Sequence, residues 1–170
     1  QLRPLTIDKD DNICVTDGSS IQKFDNDGNF MKKFGNVGSN DEKIYYSLNL
    51  FTDSMGNVYA PSSVSRDGGY HYLIKKYSNE GIYVSTWYAY GTEKGQYQHI
   101  IGSTIDLNDN IYLICSVTHK VYKYNSSRIF IKSFGEETDG RSEFYKPHNI
   151  AIDATGNIYV TDTENGRIQV

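Results

Sequence analysis

Four times along this 170-residue chain an aspartate is followed, four residues later, by an asparagine: Asp8/Asn12, Asp53/Asn57, Asp106/Asn110 and Asp153/Asn157. The aspartates stand 45, 53 and 47 residues apart. A lysine followed by an aromatic residue recurs between them, at Lys23-Phe24, Lys76-Tyr77 and Lys123-Tyr124. A further aromatic lies ten residues on in each copy, at Phe34, Trp87 and Phe134, and the next aspartate follows 19 residues later every time. A period of this length constrains the fold more than any single motif does. Each unit is one supersecondary element, and only stacking against its neighbours buries its apolar faces.

Within a unit the apolar residues come in short, β-branched and aromatic runs separated by turn residues, which reads as strands. Strand a precedes the aspartate (Leu5-Thr6-Ile7, Leu50-Phe51-Thr52, Thr104-Ile105, Ile150-Ala151-Ile152) and strand b follows the asparagine (Ile13-Cys14-Val15, Val58-Tyr59-Ala60, Ile111-Tyr112-Leu113, Ile158-Tyr159-Val160). Strand c leads to the lysine–aromatic pair, and strand d ends at the third aromatic. The a–b turn needs a residue tolerant of positive φ, and Asp11, Gly56, Asp109 and Gly156 hold that place. The c–d turn carries Asp27-Gly28 and Glu80-Gly81, whereas its third copy, Ser127-Arg128, lacks the glycine.

Length varies at one place only. From the aspartate to the lysine–aromatic pair the copies take 16, 24 and 18 residues, so the b–c hairpin absorbs the difference. The second unit carries the insertion 61–72, with Arg66-Asp67-Gly68-Gly69 and His71, and a hairpin that tolerates insertion is expected to protrude and to offer binding residues. Four-stranded antiparallel units of about 45 residues in series are the pattern of β-propeller blades. The expected division is blade 1 with its d–a loop at 1–47, blade 2 at 48–100, blade 3 with its d–a loop at 101–146 and blade 4 at 147–170, ending inside strand c.

The cleanest copy, PHNIAIDATGNIYVTDTENGRIQV, preceded by Phe134-Gly135, resembles an NHL repeat. Pro147, Asp153, Gly156, Asn157, Tyr159, Asp162, Asn165, Arg167, Ile168 and Gln169 carry the resemblance. The first copy keeps Val15-Thr16-Asp17 and Ile21-Gln22-Lys23-Phe24, the third places Cys115 where Asp162 stands, and the second keeps little beyond its turn. The resemblance implies an all-β, NHL-like propeller, incomplete at three and a half blades. Such propellers are six-bladed as a rule and need about 280 residues. It also implies that Asp8, Asp53, Asp106, Asp153, Asn157, Asp162, Asn165 and Arg167 form the structural signature of the repeat, with Asp162 and Arg167 bracing a b–c region. An open stack would expose a sheet edge and an apolar blade face, so completion by further segments or copies is expected.

Composition narrows the function classes. The net charge is −4 with no lysine–arginine cluster, which argues against nucleic acid as a partner, and no apolar run is long enough for a membrane span. Cys14 and Cys115 give neither a disulfide framework nor a metal spacing. No nucleophile–base or paired-carboxylate arrangement emerges, so no catalytic residue, metal or cofactor is assigned. Asp25-Asn26-Asp27-Gly28-Asn29 has the front half of a calcium loop without its distal glutamate and reads as a turn. His71, His99, His119 and His148 fall near the b–c and d–a connections but at inequivalent register positions.

Tyrosine, a low-entropy contact residue, concentrates in the d–a loops. Tyr88, Tyr90, Tyr97, His99, Tyr145, His148, Arg66 and His71 are therefore the binding-face candidates. Asn125-Ser126-Ser127 is a lone glycosylation triplet on the third c–d turn. The expected function is a non-enzymatic binding or assembly module that contacts a protein through its b–c and d–a loops. The alternatives are a metal-dependent propeller lyase or lactonase and, against the charge, an RNA-binding propeller. The tyrosine- and asparagine-rich composition leans towards an extracellular or cell-surface setting.

Overall fold

The computed structural model describes residues 4–36, 42–47, 49–66, 69–88, 91, 96, 99–135 and 143–170. The chain divides into two compact units, 1–89 and 90–170. In the first, β1 (Leu5–Ile7), β2 (Ile13–Thr16), β3 (Ile21–Phe24) and β4 (Phe30–Phe34) form one antiparallel meander, blade 1. β5 (Phe51–Thr52), β6 (Val58–Arg66), β7 (Gly69–Tyr77) and β8 (Tyr83–Trp87) form blade 2. In the second unit, β9 (Ile100–Ile105), β10 (Ile111–Cys115), β11 (Lys120–Tyr124) and β12 (Phe130–Phe134) form blade 3. Blade 4 is three-stranded: β13 (Pro147–Ile152), β14 (Ile158–Asp162) and, after a short 3-10 turn at Thr163–Asn165, β15 (Arg167–Gln169).

Each a–b turn is tied by its own aspartate. Asp8 Oδ1 accepts the amides of Asp10 and Asn12, and the Asn12 side chain donates back to the same carboxylate. Asp53, Asp106 and Asp153 repeat the arrangement with Asn57, Asn110 and Asn157. Such side-chain-to-backbone bonds fix a turn locally. The residue closing it is left-handed in all four copies: Asp11 at φ 61°, Gly56 at 80°, Asp109 at 58° and Gly156 at 90°. The c–d turns need the same conformation at Gly28, Gly81 and Arg128 (φ 83°, 78° and 66°).

The lysine of the repeat reaches the aspartate of its own blade. Lys76 Nζ lies 3.0 Å from Asp53 and Lys123 Nζ 3.8 Å from Asp106, each passing over a tyrosine ring of strand b. Those tyrosines, Tyr59 and Tyr112, donate their hydroxyls to the same carboxylates, as Tyr159 does to Asp153. In blade 1 the tyrosine place holds Cys14, and Lys23 closes to 2.6 Å from a fully buried Asp8. Burial alone would raise the Asp8 pKa; the bonds from Lys23 and Asn12 outweigh it and hold the carboxyl below its usual range.

Blades stack through small apolar cores. In the first unit Cys14, Ile21 and Phe34 of blade 1 meet Val58, Ala60 and Tyr77 of blade 2, with Ile44 and Leu50 from the connection between them. In the second, Tyr112, Ile114 and Val121 of blade 3 meet Ile150 and Val160 of blade 4, with Phe144 from the connection. Ile44 and Phe144 therefore occupy one role, a plug between consecutive blades. Burying a side chain of that size contributes about 1.5–3 kcal/mol. Each plug rests on the glycine after the last aromatic of strand d. A Cβ on Gly35 would stand 2.6 Å from Ile44 Cδ1, and one on Gly135 would overlap the Phe144 ring.

The insertion at 61–72 extends the b–c hairpin of blade 2 as paired strand, with Ser65 and Tyr70 exposed towards its tip. β6 and β7 run on in register to Arg66 opposite Gly69, and Pro61, Ser62 and Ser63 are buried. In the preceding connection the Tyr45 carbonyl accepts the Ser63 amide at 3.0 Å and ties the extended hairpin to that connection.

Candidate functional site

In a four-stranded meander the b–c turn lies at one end of the blade, and the d–a connections enter and leave at that same end. In the first unit, Ser47 N–H donates to Gly18 O of the blade 1 b–c turn, while Tyr45 O holds the blade 2 hairpin. Tyr45 and Tyr46 of this connection, Tyr70 near the hairpin tip and Tyr88 after β8 are all exposed. His71 lies opposite Val64 in the hairpin. Arg66 sits at its last paired position, its side chain outside the described residues, and Tyr90 and Tyr97 also lie outside them.

In the second unit the loop end is built around Asp162, which has no exposed surface. Its carboxylate accepts the Tyr145 amide at 2.6 Å, Asn165 Nδ2 at 2.8 Å and Arg167 Nε at 2.9 Å. Arg167 then donates to Glu143 O at 2.9 Å, and Glu164 N–H donates to Tyr145 O at 3.1 Å. Loop residues 143–145 are clamped on both sides by blade 4, and the clamp seats Phe144 in its plug position. Burial pushes the Asp162 carboxyl up, but the bonds from Asn165, the Tyr145 amide and Arg167 prevail and hold it below its ordinary value. The signature residues of the last repeat thus do structural work, joining the b–c turn of blade 4 to the connection before it.

Tyr145, half exposed, lines a depression of about 490 Å³. Thr118, His119, Glu143, Asn165 and Arg167 line it as well. His119 meets the Tyr145 ring edge-on at 5.6 Å and holds a left-handed backbone, φ 56°, at the place Gly166 takes in blade 4. His99 lies elsewhere: Ser116 Oγ contacts its Nδ1 at 2.8 Å, its carbonyl accepts the Ser116 amide, and burial lowers its pKa. His148 is an exposed strand residue whose carbonyl packs against Gly102. The structure therefore joins Tyr145 with Asp162, Asn165 and Arg167, and leaves His99 and His148 outside that cluster. Among the described residues no group of three or more His, Cys, Asp or Glu side chains could hold a metal ion.

One contributor carries no signal in the sequence. Glu143 acts through its carbonyl, which any residue supplies. Phe144 is legible by register, standing nine residues before Asp153 as Ile44 stands nine before Asp53.

Meanders of this topology, packed in pairs through plug residues within each unit, are the blades of a β-propeller. The solved structures agree on the fold. Streptogramin B lyase superposes on 98% of this chain and 49% of its own, with a TM-score of 0.67 at 16% identity. A virginiamycin B lyase from Staphylococcus aureus, with quinupristin, gives 0.65 over 98% and 50% of the two chains at 15% identity. Hydrazine synthase from Kuenenia stuttgartiensis gives 0.60 over 98% and 47% at 12% identity. Residues 144–170 match the model of the NHL repeat family, within a chain whose fold is that of a β-propeller. NHL repeat-containing protein 3 from Homo sapiens and that from Mus musculus are each 24% identical to it over 90% of this chain. The chain spans 46% of the length of those relatives. No helix among the described residues is long and apolar enough to cross a membrane.

Proposed function

We propose that this chain is a non-enzymatic propeller module that binds a protein partner through the b–c and d–a ends of its blades. One observation carries the reading. Six tyrosines are exposed among the described residues, and five of them, Tyr45, Tyr46, Tyr70, Tyr88 and Tyr145, lie in d–a connections or near the tip of the b–c hairpin. The sixth, Tyr159, is a strand residue whose hydroxyl is engaged by Asp153. Tyrosine offers a large, stiff contact area at small entropic cost, and its clustering on loops is the composition of a recognition surface. The Asp162 clamp supports the same reading, since a loop held in place before binding loses less entropy on association. A ring completed by further blades belongs to this proposal, because the relatives are about twice the length of this chain.

The likeness to the lyases, at 16% identity and below, speaks to the fold alone. The test is affinity capture with the chain as bait, followed by mass spectrometry. Replacing Tyr45, Tyr46, Tyr88 and Tyr145 together by serine is expected to release the proteins retained by the parent chain, while serine at Met55 and Leu107, in the a–b turns, leaves them bound. Equal retention by both variants would refute the surface. A stoichiometric metal ion in the purified protein would favour the enzyme reading instead.

A further inference from the structure

We propose that Asn125 is the acceptor of one N-linked oligosaccharide, with Ser127 supplying the hydroxyl two residues on that such transfer requires. Asn125-Ser126-Ser127 is the only Asn-x-Ser/Thr triplet in the 170 residues. It forms the c–d turn between β11 and β12, where Asn125 is half-buried and residues 126–129 are all exposed.

The turn's bonding is what makes the triplet a usable site. Asn125 N–H donates to Ile129 O at 2.9 Å, Arg128 N–H donates to Asn125 O at 2.8 Å, and Ile129 N–H donates to the side-chain Oδ1 of Asn125 at 2.9 Å. A backbone N–H needs an acceptor, so the amide oxygen faces Ile129 and Nδ2 takes no part in that bond. The same capping place is held by Asp25 in blade 1, where Oδ1 accepts the Asn29 amide at 2.8 Å, and by Ser78 in blade 2, whose Oγ accepts the Ile82 amide at 3.2 Å. Capping alone is thus met by a carboxylate or a hydroxyl. Blade 3 meets it with a side chain that also carries an amide nitrogen able to accept the sugar.

In the transfer, Nδ2 forms a bond to C1 of the reducing-end sugar of a polyprenyl-diphosphate-linked oligosaccharide. The C1–oxygen bond to the diphosphate breaks, the polyprenyl diphosphate leaves with the electron pair, and one amide proton passes to the transferase's base. No oxidant or reductant is consumed. The primary amide becomes a secondary one whose Oδ1 is untouched, so the bond from Ile129 N–H persists and the folded turn carries the glycan without rearrangement. Within blade 3 the c–d turn lies at the end opposite the b–c turn of residues 116–119, so the glycan leaves that blade's proposed contact end uncovered.

The experiment sends the chain, behind an added secretion leader, through cultured animal cells and reads its mass before and after peptide-N-glycosidase. One glycan's mass is expected on the secreted protein, absent in Asn125→Asp and Ser127→Ala and retained in Ser127→Thr. Asn125→Asp keeps the cap in the manner of Asp25, and its thermal midpoint is expected to match that of the enzymatically deglycosylated parent. Should a variant fail to be secreted, glycosidase treatment of the parent in ¹⁸O water marks the modified asparagine directly in the peptide spanning residues 124–128. A secreted, folded parent without the increment, or an ¹⁸O mark at any other asparagine, overturns the assignment. Neither result bears on the binding surface, which is measured separately.

Discussion

Replacing Asp162 by alanine removes the acceptor shared by Tyr145 N–H, Asn165 Nδ2 and Arg167 Nε. The three bonds are not of equal weight. A hydrogen bond to a buried charge is worth about 1.5–3 kcal/mol, and a donor left without an acceptor costs a similar amount. The Tyr145 amide is fixed between Phe144 and blade 4 and takes that cost in full. The Arg167 side chain keeps 38% of its surface, so water replaces most of its share and it contributes about 1 kcal/mol or less. The loop clamp is therefore expected to weaken by about 3 kcal/mol, which at 1.4 kcal/mol per decade is roughly a hundredfold in local opening. Amide hydrogen exchange read by mass spectrometry reports it: peptides covering residues 143–147 and 162–167 should exchange about a hundredfold faster, while those from β2 and β3 stay unchanged. Asp162→Asn keeps an oxygen for Tyr145 and should lose about half as much. Less than about a threefold change in Asp162→Ala would refute the reasoning, because it would mean the clamp does not hold the loop. The pH dependence has a definite sign. The folded pKa of Asp162 lies below its unfolded value, so the clamp's stabilisation is complete above the ordinary carboxylate range near pH 4 and is lost as pH falls through the folded pKa.

Other perturbations follow from the fold. Lys23→Met or Asp8→Asn each strands one partner of a buried pair and should cost about 3–5 kcal/mol, whereas the double variant should cost much less than the sum; denaturant unfolding of the three proteins measures it. Gly28 and Gly81 hold the same left-handed turn position, but only Gly81 packs on Phe34, 2.7 Å from where a Cβ would stand. Gly28→Ala is expected to lose about 1–2 kcal/mol and Gly81→Ala at least 1 kcal/mol more, by thermal melts. Burial, only partly offset by Lys23, raises the Cys14 thiol to about 11. Alkylation at pH 8 should therefore leave Cys14 untouched in the native chain and modify it after unfolding, as peptide mapping would show.

The blades were legible because a strand's period and a turn's chemistry are local. All four residues singled out for the a–b turn have positive φ, and Arg128 takes the left-handed place its glycine-free turn required. The lysine–aromatic pairs and the aspartates were visible as a register, but the bond between them was not, because only the b–c pairing brings residues 15 to 23 apart into contact. The 61–72 insertion was legible as added length in the b–c hairpin, but the continuation of the ladder to Arg66 opposite Gly69 was not, because pairing register depends on the partner strand. At the loop end, Tyr145 stood out as an aromatic among turn residues. His119 was visible as a histidine near a b–c connection, but its contact with Tyr145 was not, and the carbonyl of Glu143 leaves no trace in residue type.

The proposed partner meets the loop ends of the blades, and not the a–b and c–d ends. A photo-crosslinking amino acid placed singly at Tyr88, Tyr145, Met55 and Leu107 tests it most directly. Covalent adducts to another protein from positions 88 and 145, with none from 55 and 107, are the predicted result. Adducts confined to 55 and 107 would place the contact at the opposite ends of the blades and contradict the account.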